Sequence, residues 1–90
     1  MYKLILSERA KEDIAKLKRN EPNSFKKISK LLIELTQHPR EGSGQVEVLK
    51  YFKEETYSRR ISQKHRLVYR VYEDVVEVLI LSAYGHYDDK

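Results

Sequence analysis

A chain of 90 residues has room for one modest core, and we expect a single domain over residues 1–90. Charged residues make up 36% of the chain and apolar residues 40%, and the apolar residues recur periodically, which favours a folded globule. The absence of cysteine excludes a disulfide framework, a thiolate zinc site and a cysteine nucleophile. A net charge of +4 favours an anionic partner, either nucleic acid or an acidic protein.

The amino terminus reads MYKLILSE, and its apolar run is too short for a signal peptide. No segment of the sequence is long and apolar enough to cross a bilayer. We therefore expect a cytoplasmic protein that does not associate with a membrane.

The first third of the chain predicts one strand followed by two helices. YKLIL alternates between polar and apolar residues and predicts a strand over residues 2–6. Ser7 is placed to cap a first helix, whose apolar residues recur at i, i+4 and i+7. Pro22 fits the first turn of a second helix, which should end before Pro39. We expect the two helices to form a hairpin.

The remainder of the chain predicts a loop and then strands. HPREGSGQ, residues 38–45, holds two of the three glycines and is the clearest loop. VEVLKYF follows the loop, and YSRRISQKHRLVYRVY and VVEVLILSAY then predict three antiparallel strands, with turns near residues 63–65 and 73–74. The expected class is α+β in the order β-α-α-β-β-β, a twisted antiparallel sheet with the two-helix hairpin packed on one face.

The stretch from Tyr57 to Tyr72 concentrates positive charge. It holds five Lys or Arg residues and no Asp or Glu. Like charges on neighbouring strands repel, so this face either is solvated or meets an anion. Arg59 and Arg60 are adjacent on a predicted strand and should point to opposite faces, so at most one of them can face a shared site.

Metal-free cleavage of RNA needs a base for the ribose 2′-hydroxyl, cations for the phosphate and an acid for the leaving oxygen. Residues of these types lie near the predicted strand ends: Glu47, Lys50, Arg60, Arg66, His86 and Tyr87. Taken alone, they are also compatible with a solvated loop carboxylate and a solvated or salt-bridged basic face. The histidines have no partners at ligand spacing, so no metal site is expected.

Three segments in this order after two helices carry a resemblance: GSGQVEVLK, YSRRISQKHRLVYRV and YGHY. Together they resemble the YoeB/Txe branch of the RelE/ParE toxin superfamily. The resemblance implies a toxin of a type II toxin–antitoxin pair that binds the ribosome and cleaves mRNA in the decoding site, with no metal and no cofactor.

The resemblance also implies a role for seven residues of this chain. They are Glu47 as general base, His86 as general acid, Arg66 as the main clamp on the scissile phosphate, Lys50 and Arg60 as supporting cations, Tyr87 as the ring that orients the nucleotide, and His65 as a residue that shapes the turn or touches ribosomal RNA.

The partners implied by the resemblance are the ribosome, mRNA and a cognate acidic antitoxin similar to YefM or Axe. Operator DNA would be bound only through the antitoxin complex, and a homodimer is compatible with the family.

Two alternative functions stay open. A ParE-like toxin directed at gyrase would have the same fold, but the terminal HY and Glu47 argue against it. A non-catalytic RNA-binding module would need the basic hairpin but not His86.

Overall fold

The computed structural model describes residues 1–85. The elements in chain order are β1 (Lys3–Leu6), α1 (Glu8–Asn20), α2 (Pro22–Leu35), β2 (Glu47–Val48), β3 (Thr56–Arg60), β4 (Arg66–Tyr72), a 3₁₀ turn (Glu73–Val75) and β5 (Glu77–Ser82). The expected α+β class and the helix hairpin are confirmed. Among residues 1–85, no helix is long and apolar enough to span a membrane.

Local sequence signals account for the helix boundaries. The Ser7 hydroxyl accepts a hydrogen bond from the Ala10 N–H at 3.0 Å, which satisfies one of the unpaired amides at the start of α1. Glu21 ends α1 with a non-helical backbone, and Pro22 opens α2 in its first turn, where its missing N–H costs nothing. The two helices are therefore joined by a single residue.

The sheet is mixed and has the order β1-β5-β4-β3-β2. β2, β3, β4 and β5 pair in antiparallel fashion, as expected, but β1 pairs in parallel with β5. The sequence predicted a wholly antiparallel sheet. β1 and β5 are the first and last strands, and Lys3 lies opposite Glu77. Because no tight turn connects these two strands, they are not forced to pair in antiparallel fashion.

The two sides of the sheet differ in chemistry because side chains alternate along a strand. The helix side packs the core between the sheet and the helices, and it includes Tyr57 and Tyr69, which stack at 5.7 Å. We call the opposite side the open face. It carries Ser58 and Arg60 of β3 and Arg66, Val68 and Arg70 of β4.

Candidate active site

Glu47 lies on β2, at the outer edge of the sheet, and is exposed. It is paired directly with Ser58, so the two side chains point to the same side of the sheet, the open face. Glu47 and Lys50 both line a shallow pocket of about 520 Å³ formed by residues 47–51. The carboxylate and the ammonium group that the sequence singled out therefore share one concavity.

Arg60 and Arg66 lie directly opposite each other on β3 and β4. Nη1 of Arg66 donates to the carbonyl oxygens of Ser62 at 2.8 Å and His65 at 3.2 Å, which anchors one corner of its guanidinium. Within residues 1–85, neither arginine has a carboxylate at ion-pair distance. Directly opposed like charges destabilise a sheet, and an anion bound between them would remove that penalty.

The Glu47–Ser58 pair and the Arg60–Arg66 pair lie two residues apart along β3, on the same face. Neighbouring strands are about 4.8 Å apart and alternate residues about 6.6 Å apart, so the backbones of Glu47 and Arg66 are separated by roughly 12 Å. Extended Glu and Arg side chains can reach a single phosphodiester from that separation. The fold thus brings the candidate base and the candidate clamp to one surface.

Ser58, the β3 member of the first pair, is almost fully buried. Its hydroxyl oxygen is the one buried side-chain polar atom in the described part of the chain that lacks a hydrogen-bond partner. A buried hydroxyl without a partner costs about 1–3 kcal/mol. The fold leaves its unsatisfied polar group beside Glu47, within the candidate site.

His65 is buried and both of its ring nitrogens are occupied. Nε2 lies 2.8 Å from Oε2 of Glu21, and Nδ1 lies 2.8 Å from the amide nitrogen of Gly85. Of the two roles that the resemblance implied for His65, this geometry favours shaping the turn, since no ring nitrogen is free for RNA.

His86 and Tyr87 lie outside the described residues, as do Asp88, Asp89 and Lys90. The chain immediately before them is held in place. Gly85 accepts a hydrogen bond from the Arg66 N–H at 2.9 Å, in addition to donating to His65. The last described residue therefore lies against the start of β4, next to the candidate phosphate clamp.

The buried position of Arg59 could not be predicted from the charge pattern alone. Its side chain is fully buried on the helix side, where Nη1 lies 2.7 Å from Oε1 of Glu34 and Nε donates to the Tyr69 hydroxyl at 3.0 Å. The expectation that Arg59 and Arg60 point to opposite faces is confirmed. The signal for burial was the alternation itself, because Arg59 shares a face with Tyr57.

Arg59 also holds the loop that leads to Glu47. Its guanidinium donates to the carbonyl oxygens of His38, Glu41 and Ser43. The Glu34 carboxylate accepts from the N–H and the hydroxyl of Ser43. These contacts fix residues 38–43 from inside the protein, so the path of the loop depends on a buried ion pair.

Gly44 continues this attachment. Its carbonyl accepts the Arg60 N–H at 2.5 Å, and its φ of +87° is a conformation that residues with a Cβ rarely adopt. A Cβ at this position would also lie 3.0 Å from the Arg60 carbonyl oxygen. Glycine is therefore required where the loop approaches β3, three residues before Glu47.

The pKa shifts near the site follow from these contacts. Hydrogen bonds from Ser43, and then the interaction with Arg59, lower the pKa of Glu34. Burial raises the pKa of Tyr69, although the bond from Arg59 opposes that shift. These pKa shifts keep Glu34 ionised and Tyr69 neutral. Those are the states in which both side chains can accept the hydrogen bonds of Arg59 and Tyr69 can still donate its own.

Comparisons with known proteins identify the family of this chain. Residues 6–87 match the family described as YoeB-like toxin of bacterial type II toxin–antitoxin system. Toxin YoeB of Escherichia coli strain K12 is 38% identical over 85 residues, which is 94% of this chain and 99% of that protein.

Three solved structures are similar over almost their whole length. The YoeB/ParE toxin from Agrobacterium tumefaciens superposes with a TM-score of 0.85 at 29% identity and covers 94% of this chain and 99% of its own. YoeB from Staphylococcus aureus is 35% identical. Its dimer gives a TM-score of 0.80, covering 96% of this chain and 98% of that one, and its complex with YefM gives 0.77, covering 97% and 99%. With the family matched across most of the chain, this protein belongs to the YoeB-like toxins of bacterial type II toxin–antitoxin systems.

Proposed function

We propose that this toxin is a ribosome-dependent, metal-independent mRNA endoribonuclease that inhibits translation by cleaving mRNA in the decoding site. The observation that carries the proposal is the directly opposed Arg60–Arg66 pair, which lies beside Glu47 on the open face and has no carboxylate partner within residues 1–85. The dependence on the ribosome rests on the family resemblance.

In the proposed reaction, Glu47 accepts the proton of the ribose 2′-hydroxyl as O2′ attacks the adjacent phosphorus. The O2′–P bond forms and the P–O5′ bond breaks, which leaves a 2′,3′-cyclic phosphate. His86 gives a proton to the departing O5′, and Tyr87 stacks on a base to keep the nucleotide in line.

Arg66 is the proposed clamp on the phosphate. Only its Nη1 is bonded within residues 1–85, so Nε and Nη2 can present two parallel N–H groups to two phosphate oxygens. Arg60 and Lys50 are exposed and supply supporting positive charge. Because Arg66 is anchored before RNA binds, its free N–H groups can stabilise the charge that develops on phosphorus.

The same basic surface supports a proposal for the inactive state. An acidic antitoxin segment covering the open face would neutralise the Arg60–Arg66 pair, and the Staphylococcus aureus relative forms a complex with YefM. We propose a cognate YefM-like antitoxin for this chain, with operator DNA bound through that complex. A homodimer is proposed from the dimer of the same relative.

The test is incubation of the purified toxin with ribosomes carrying a defined mRNA, followed by mapping of the new 5′ ends and analysis of the 3′ ends. We expect cleavage at the decoding position and products that end in a 2′,3′-cyclic phosphate or a 3′-phosphate. Cleavage should persist in chelator at concentrations that leave the ribosomes intact, as checked by sedimentation. Glu47→Gln, which keeps shape and removes the base, is the matched control.

Four results would contradict the proposal. Products ending in a 3′-hydroxyl would exclude attack by the 2′-hydroxyl, and loss of cleavage in chelator with intact ribosomes would exclude a metal-independent reaction. Gyrase–DNA cleavage complexes without mRNA cleavage would identify a ParE-like activity. Ribosome or RNA binding without cleavage would identify a non-catalytic module.

A further inference from the structure

His65 joins three segments that are distant in sequence. Its Nε2 contacts Glu21 at the corner between the helices, its backbone N–H donates to the Ser62 hydroxyl in the β3–β4 turn, and its Nδ1 contacts Gly85 after β5. The Tyr84 ring lies 4.3 Å from the imidazole and covers it. A buried side chain at such a junction can determine how the three segments sit relative to one another.

The contacts fix the tautomer of His65. Because the Gly85 N–H donates to Nδ1, that nitrogen carries no proton. Nε2 then carries the proton and donates it to Glu21. This bond is also the main reason that the pKa of Glu21 is lowered, so the carboxylate stays ionised and keeps its partner in this orientation.

Gly85 is held through both of its backbone groups by consecutive residues. His65 accepts its N–H at 2.8 Å, and the Arg66 N–H donates to its carbonyl oxygen at 2.9 Å. The φ of Gly85 is +77°, although no atom lies within 4 Å of where a Cβ would be. Glycine is therefore needed here for its backbone conformation, and that conformation is set by the two bonds.

We propose that His65 is a positioning residue: with its tautomer fixed by Glu21, it holds Gly85, the last described residue, beside the start of β4 and Arg66. The effect on cleavage rests on the proposed function. The hold on Gly85 does not, since it is a property of the folded chain.

Two substitutions of His65 each keep the contact of one ring nitrogen and remove the contact of the other. The side-chain oxygen of His65→Asn lies at the position of Nδ1 and can accept the Gly85 N–H, but it cannot reach Glu21. The longer His65→Gln can reach Glu21 from the position of Nε2, but offers nothing to Gly85. Both variants lose the ring, so its packing and its contact with Tyr84 are removed equally.

The experiment measures three quantities for the full-length wild type and both variants: the hydrogen-exchange rate of the Gly85 amide by NMR, cleavage of ribosome-bound mRNA, and unfolding by urea. We expect the Gly85 amide to exchange slowly in the wild type and in His65→Asn, and faster in His65→Gln, because only His65→Gln lacks an acceptor for it. His65→Gln should lower cleavage by ~10-fold or more, as small displacements of reacting groups do, and His65→Asn should retain most of it at equal stability.

Several outcomes would overturn the proposal. One is a Gly85 amide that exchanges equally fast in the wild type and in His65→Gln. Another is equal cleavage by the two variants, or losses that only track their stability. If neither variant folds, slow exchange of the Gly85 amide in the wild type supports the proposal and fast exchange overturns it. If the wild type does not cleave mRNA while only His65→Gln speeds exchange of the Gly85 amide, the proposed function fails and the positioning of Gly85 stands.

Discussion

Arg59 and Arg60 are neighbours in the chain and opposites in environment. Arg59 is fully buried and bonded to Glu34, Tyr69 and three loop carbonyls. Arg60 is exposed and faces Arg66, with no carboxylate partner within residues 1–85. Arginine thus forms a buried ion pair on one side of the sheet and is available to an anion on the other, because alternation along β3 points Arg59 and Arg60 to opposite faces.

The comparison shows that the basic stretch from Tyr57 to Tyr72 carries two separate sets of charges, one on each side of the sheet. The charge on the helix side is neutralised within the protein, so its loss should be measured as lost stability. On the open face, Arg60 and Arg66 lack a partner of opposite sign in the described chain, so their loss should be measured as lost activity. The first two predictions below test the two sides of that division.

The largest effect is expected from Arg59→Ala. Removing one partner of a buried ion pair costs about 3–5 kcal/mol, since Glu34, the Tyr69 hydroxyl and the loop carbonyls lose their donor. That is a large part of the total stability of a small domain. Urea unfolding followed by circular dichroism measures the loss. Arg60→Ala is the matched control, with a change within about 0.5 kcal/mol. Equal losses from both would remove the distinction between the two faces.

Arg66→Ala should lower mRNA cleavage by ~10²-fold or more while the fold is retained, as the loss of a placed donor to transition-state charge does. Arg70→Ala is the matched control, because Arg70 lies on the same strand and face but contacts Thr56 and Glu54. We expect a much smaller loss from that variant. Comparable losses at both positions would mean that general charge, rather than placed charge, matters.

A smaller effect is expected from Arg40→Ala. The Arg40 side chain is 39% exposed and bonds to Glu55, Glu73 and the Tyr2 hydroxyl. Exposed pairs contribute up to about 1 kcal/mol, and we expect a loss near that value at neutral pH. Arg9→Ala, which removes the 3.6 Å pair between the exposed Arg9 and the partly buried Asp13, should cost less.

The loss from Arg40→Ala should depend on pH. The bond from Arg40 lowers the pKa of Glu55, and bonds from Tyr2 and then Arg40 lower the pKa of Glu73. Lowered pKa values stabilise the fold above the ordinary carboxyl range, and this contribution is lost as the pH falls through the folded-state values. The difference in stability between wild type and variant should therefore shrink in acid. A difference that stays constant would contradict the ion-pair account.

The smallest effect is expected from Ser58→Ala. The Ser58 hydroxyl has no partner in the described part of the chain, so its removal should leave stability unchanged or raise it by up to about 1 kcal/mol. Thr56→Val is the matched control on the same strand. It should cost about 1 kcal/mol, because the Thr56 hydroxyl donates to the Glu54 carbonyl and accepts from Arg70. A clear loss of stability from Ser58→Ala would show that its hydroxyl is satisfied in solution.

The sequence by itself determined the features that depend on a few neighbouring residues. Ser7 and Pro22 set the starts of the helices, because a cap and a missing N–H act within one turn. The glycines marked the loop before Glu47, and strand alternation placed Arg59 and Arg60 on opposite faces. The motifs around Glu47, Arg66 and His86 indicated the family.

Only the tertiary structure decided which distant residues meet. The parallel pairing of Lys3 with Glu77, the burial of Arg59 against Glu34, and the junction of Glu21, His65 and Gly85 all join segments far apart in the chain. Periodicity specifies which face of an element is apolar, but not which element packs against it. That choice follows from burying the core and pairing its polar groups across the whole domain, which no local stretch of sequence encodes.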